Sequence, residues 1–164
     1  KKERTMIILV SRGSYEIIEK KPFILRSEPL GAGIAIGFIN REKELFGLLS
    51  YLFPYREADI ELDEGTIYSG ESLLGFLQNE LEKGKIDFER TSWILVGASC
   101  FKRESYILDL TEKNLKVAEA WFKRNNLWER VIKRVKEPHP LFLEVNAKES
   151  IFEVKIQNKV ERYE

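Results

Sequence analysis

Covalent chemistry needs a nucleophile beside a base, a bound metal, or a carboxylate pair held in a dry setting. Few residues of this chain could serve. It holds one cysteine, Cys100, and one histidine, His139. Cys100 follows an apolar run and the turn Gly97-Ala98-Ser99, where an isolated cysteine is most often a small buried hydrophobe. His139 lies between Pro138 and Pro140, which favours an exposed loop residue over a base. One Cys and one His make neither a disulfide nor a Cys/His metal cage, so no metal and no cofactor is expected. Carboxylates are plentiful, but none pairs with another inside an apolar stretch. Gly31-Ala32-Gly33 lacks both the GxGxxG spacing and the Lys-Ser/Thr of a phosphate loop.

Positioning falls to 164 residues, 43% hydrophobic and 33% charged. That suits a single domain over residues 1–164 and excludes a disordered chain. The 27 basic and 27 acidic side chains cancel, which argues against a general nucleic-acid binder. Met6–Val10 is too short an apolar run for a membrane span or a signal-peptide core. A lone cysteine fits a reducing, cytoplasmic setting.

Apolar periodicity predicts strands over Thr5–Val10, Phe23–Leu25, Gly33–Ile39, Glu44–Phe53, Trp93–Val96, Leu127–Val135, Leu141–Val145 and Ile151–Ile156. The third and fourth form a hairpin with the polar tip Asn40-Arg41-Glu42-Lys43. Residues Arg56–Glu64 read as an acidic loop. Ser69–Glu82 is a helix, capped by Ser69 or Gly70, with Leu73, Leu74, Phe76, Leu77 and Leu81 as its apolar stripe and Gly84 as its stop. Thr111–Asn125 is a second helix with Thr111 as its cap. Mixed strands and helices of this kind imply an α/β layered domain containing antiparallel pairs. Charge is uneven: Arg56–Arg90 holds ten acidic and four basic residues, and Thr111–Lys136 holds eight basic and three acidic. Such opposed fields can steer a protein partner, although two solvated helix faces would carry them equally well.

The segment Ser27-Glu28-Pro29-Leu30-Gly31-Ala32-Gly33-Ile34-Ala35-Ile36 resembles the T-x-G-L-G-S-C-V-x-V signature of CheD, the chemoreceptor glutamine deamidase family. Gly47–Pro54 is similar to that family's G-x-x-H-x-x-L-P, and Tyr68 to the Tyr of its Y-A-D helix. Ile94–Phe101 is similar to K-I-x-G-G-A-x-M-F, Asn114 to the Asn of its R-N segment, and the strands Phe142–Asn146 and Ile151–Lys155 to its final hairpin. The likeness spans nearly the whole chain in order. It implies a layered sandwich of two mixed β-sheets with helices on the outside.

Members of that family hydrolyse glutamine side-chain amides with a Cys nucleophile, a His base and a supporting Thr. The resemblance puts Gly33, Ser50 and Ser27 in those positions, so only the last keeps its hydroxyl. A turn centred between Arg41 and Glu42 would set Gly33 directly opposite Ser50, about 5 Å apart at Cβ. Glycine offers no nucleophile, and a serine hydroxyl cannot take up a proton near neutral pH. The family's glycine-rich G-G-x-x-x-R loop is altered to Pro138-His139-Pro140. The expectation is a catalytically degenerate CheD-like protein that binds a CheC-type phosphatase or a receptor's cytoplasmic helices. The alternative is an amidohydrolase built from other residues, with Cys100, Ser27 or Ser50 served by His139.

Overall fold

β-Branched and aromatic side chains dominate the pairing segments because they pack well on a pleated surface. The computed structural model describes residues 4–100 and 104–164. Within them lie two five-stranded sheets. The first contains β1 (Met6–Val10), β3 (Phe23–Ser27), β10 (Leu141–Asn146), β11 (Ile151–Ile156) and β12 (Lys159–Tyr163), side by side in that order. The second runs β2 (Ser14–Glu19), β5 (Leu45–Tyr51), β4 (Ile34–Asn40), β8 (Thr91–Gly97) and β9 (Ile132–Val135). Both are mixed: β1 lies parallel to β3 and β9 parallel to β8, while the other neighbours are antiparallel. A small ribbon, β6 (Ile60–Leu62) with β7 (Gly65–Ile67), precedes the helix α1 (Gly70–Lys83), and α2 (Ser105–Arg124) follows β8.

Side-chain alternation explains the layering. Along β4, Ile34, Ile36 and Phe38 face the helices, while Ala35 and Ile39 face the first sheet. Along β5, Leu49 and Tyr51 face the helices, while Phe46 and Leu48 face the first sheet. The second sheet is thus the middle layer, and every residue of β4 is buried. A strand covered on both faces shows an apolar run in place of alternation. The α/β expectation of two mixed sheets therefore holds, with one refinement: the apolar faces of both helices pack on the second sheet only. The other side of the first sheet carries ion pairs, with Glu144 between Arg26 and Lys155.

Two hairpins are built alike. The Asn40 side-chain oxygen accepts from Lys43 N at 2.8 Å, and Glu44 takes a left-handed φ of 51°. The Asn146 oxygen accepts from Glu149 N at 3.0 Å, and Ser150 takes φ 57°. Each loop thereby holds four residues, pairing Asn40 with Leu45 and Asn146 with Ile151. The first turn is centred one residue later than the sequence suggested.

Other boundaries also move. α2 begins at Ser105, so Thr111 is interior and its hydroxyl donates to Ile107 O at 2.7 Å instead of capping. Of the predicted strand over 127–135 only the last four residues are extended, and a turn closed by Val131 N donating to Leu127 O precedes them. The acidic stretch after Arg56 forms a short 3-10 turn and then the β6–β7 ribbon instead of an open loop. At α1 the Ser69 oxygen caps Ser72 N, as expected.

Gly75 sits inside α1, and an added Cβ would meet nothing within 4 Å. Gly75→Ala is therefore expected to stabilise the fold by about 1 kcal/mol, the helix-propensity difference. A raised urea midpoint at unchanged slope would register it.

Candidate functional site

The end of the sandwich where β4 begins and β5 ends is framed by backbone groups tied to one buried side chain. Asn114, on the buried face of α2, is fully enclosed. Its amide nitrogen donates to Ala32 O at 2.9 Å and to Leu52 O at 2.8 Å. The Tyr51 hydroxyl donates to Asn114 O at 2.7 Å. Burial pushes the Tyr51 phenol far above its usual range, so it stays a neutral donor. From the other side, Ala98 N donates to Gly33 O at 2.9 Å and Ser99 N to Gly31 O at 2.7 Å. Gly97, at φ 120°, lets β8 approach so closely that an added Cβ would lie 2.3 Å from Gly33 O. The loop Gly31–Gly33 is thus clamped between β8 and α2.

Above this frame lies a cavity of about 360 Å³. Leu30, Ala32, Leu52, Ser99 and Pro140 line it, together with Arg12. Its polar groups are sparse. The Arg12 guanidinium stands 3.5 Å from Glu28, and the Ser99 hydroxyl donates to Leu30 O at 3.3 Å. Such a pocket fits an apolar side chain or a neutral amide better than a charged group.

The three positions assigned by resemblance gather at this end of the sandwich without forming a reactive group. Gly33 does not pair with Ser50: the register is Ala35 with Ser50 and Ile34 with Tyr51. Gly33 falls just beyond the ladder, diagonal to Ser50, a spacing of roughly 7 Å at Cβ. A Cβ added at Gly33 would lie 2.9 Å from Tyr51 O and 3.8 Å from Arg12 Cδ. The Ser50 hydroxyl is wholly buried, on the same face of β5 as Leu48, and has no hydrogen-bond partner. The Ser27 hydroxyl accepts from Leu143 N at 3.0 Å and donates to Glu28 O at 3.0 Å, which ties β3 to β10.

Cys100 is exposed, not a buried hydrophobe, and its thiol donates weakly to Ala98 O at 3.7 Å. Its backbone N donates to Glu137 O at 2.9 Å, which brings it beside the loop carrying His139. His139 is exposed, and no side-chain hydrogen bond joins it to Cys100, Ser27 or Ser50 among the described residues. Phe101, part of the segment compared with the K-I-x-G-G-A-x-M-F motif, lies outside those residues.

The Asn114 clamp carries no role in the sequence reading. A signal for it exists. Thr111, Asn114, Ala118, Trp121 and Phe122 are the buried positions of α2, so Asn114 is an amide set into an otherwise packed stripe. A buried amide seeks partners, and here its nitrogen finds the two loop carbonyls while its oxygen is enclosed without one. Among the described residues no group of three or more His, Cys, Asp or Glu is arranged to hold a metal, and no helix is long and apolar enough to cross a membrane. No protein-family model matches the chain, and no curated protein matches it either.

Proposed function

We propose that this chain is a protein-binding module on a CheD-like scaffold whose reaction centre has been lost. Its partner would be a CheC-type phosphatase or the cytoplasmic helical region of a chemoreceptor, and its place the cytoplasm. One observation carries the reading: the three assigned positions hold no nucleophile within reach of a base. Gly33 has no side chain, the Ser50 hydroxyl is sealed between layers, and the Ser27 hydroxyl is committed to Leu143 N and Glu28 O. Loss of a catalytic dyad removes several orders of magnitude in rate. Meanwhile the rigid frame around Gly31–Gly33 and its small apolar cavity persist, and these are what a binding role uses.

The test pairs two measurements on the same receptor-helix peptides. Ammonia release from their glutamines is expected to stay at the buffer rate, while calorimetry with the peptides or a CheC-type protein is expected to show saturable binding. Ammonia production that disappears in Ser27→Ala would overturn the reading. So would the absence of binding to both kinds of partner.

A second reading rests on the Cys100 N to Glu137 O bond, which sets an exposed thiol beside the His139 loop, each next in sequence to a residue lining the cavity, Ser99 and Pro140. In that case the chain is an amidohydrolase with Cys100 as nucleophile and His139 as base. Ammonia release lost in both Cys100→Ser and His139→Gln would select it over the first.

A further inference from the structure

A groove of about 650 Å³ lies between α1 and α2, and it shares no lining residue with the cavity above Gly31 and Ala32. We propose that this groove binds a small amphiphilic anion, an apolar body ending in a carboxylate or a phosphate. Its volume falls in the range of small-molecule sites. Leu74 and Gly75 form one wall, and Val117 and Ala120 the other. Gly75 leaves open space where a side chain would intrude, so a slender apolar body can enter between the helices.

The charge on the rim names the anion. The rim carries Arg56, Lys116 and Arg124 against the single carboxylate Glu71. Glu71 already accepts from Arg56 N at 2.9 Å. Among the described residues no carboxylate is within ion-pair distance of the Arg56 or Arg124 side chain, and Lys116 has only Glu112 at 3.8 Å. The rim therefore carries an excess of positive charge, three cationic side chains against Glu71, and an anion is its electrostatic complement. Trp121 forms part of the groove wall at 2% exposure, so its indole N–H is a reporter of what enters the groove.

The experiment uses the full chain labelled with nitrogen-15. The Trp121 indole N–H resonance, assigned through Trp121→Phe, is followed while octanoate, octyl phosphate or octanol is added below its micelle threshold. A saturable shift with at least one of the two anions and none with octanol is expected. The tighter of the two tells whether the groove favours carboxylate or phosphate. Affinity should fall about tenfold or more in the double variant Lys116→Gln/Arg124→Gln, equivalent to about 1.4 kcal/mol. It should vanish in Gly75→Leu, whose melting temperature is read alongside to establish that it is folded. No saturable shift with either anion, an equal response to octanol, or undiminished binding in the charge variant would overturn the proposal. The charge variant keeps the test decisive even if Gly75→Leu perturbs the helix.

Discussion

Gly97→Ala is expected to lower the melting temperature by about 10 °C, the largest loss from a single methyl group at the candidate site. Gly97 holds φ 120°, a conformation that residues with a Cβ rarely adopt, and the new Cβ would sit 2.3 Å from Gly33 O and 3.2 Å from Ile34 Cα. Both obstacles are backbone, so neither can rotate away as a side-chain tip would. Strain at such a φ costs about 1–3 kcal/mol. Weakening the buried bond from Ala98 N to Gly33 O adds about 1–3 kcal/mol. In a domain of this size each kcal/mol moves the melting temperature by roughly 2–4 °C. Gly65→Ala is the control, because Gly65 has φ 132° but nothing within 4 Å of an added Cβ. It should lose less than half as much in thermal denaturation. Equal losses would mean that close approach to Gly33 is not what makes Gly97 necessary.

The second large effect is at Asn114. Asn114→Ala removes both donors of the clamp and strips the Ala32 and Leu52 carbonyls of these partners. At about 1–3 kcal/mol for each unsatisfied group, a destabilisation of roughly 3 kcal/mol is expected. Asn114→Asp keeps the shape but turns the donor into a carboxylate facing two carbonyl oxygens. Burial and the lack of donors raise its folded-state pKa above the unfolded value of about 3.9. The folded form then binds the proton more tightly, so the deficit is largest above the folded pKa. It shrinks as pH falls through that value, since the neutral acid can donate to one carbonyl. Urea midpoints taken relative to wild type between about pH 4 and 8 should therefore show Asn114→Asp recovering on acidification while Asn114→Ala does not. A flat difference for Asn114→Asp would mean that water reaches the clamp.

These two residues mark the limit of what could be read along the chain. Each site residue is legible through its immediate neighbours: Ser27, Gly33 and Ser50 by their motif segments, Cys100 and His139 by their rarity. Their placement was less accessible. The expected turn is centred one residue early because Asn40 still belongs to the ladder and the left-handed Glu44, φ 51°, belongs to the loop, which brings Ala35, not Gly33, opposite Ser50. A glutamate gives no hint of positive φ in the way that glycine would. The missed strands β2 and β12 are both sheet edges, half-exposed and charged, so their apolar pattern is thin. The start of α2 was missed because its first turns, Ser105–Leu110, contain no buried residue to set a stripe.

The amino-acid order alone determined the type of the most deeply buried segments, although not that the apolar run of β1 leaves Met6, Ile7 and Leu9 exposed. Apolar runs named β4, β5 and β8, the leucine stripe named α1, and asparagine-headed turns named two hairpins. Such patterns are local, for burial and backbone preference act over a few residues. Only the tertiary structure decided that both helices cover the same sheet, that the Ser50 hydroxyl is sealed inside, and that one amide holds carbonyls 82 and 62 residues away. Periodicity says that a face must be covered, not by what. The partner is chosen by shape and hydrogen-bond complementarity between segments far apart along the chain.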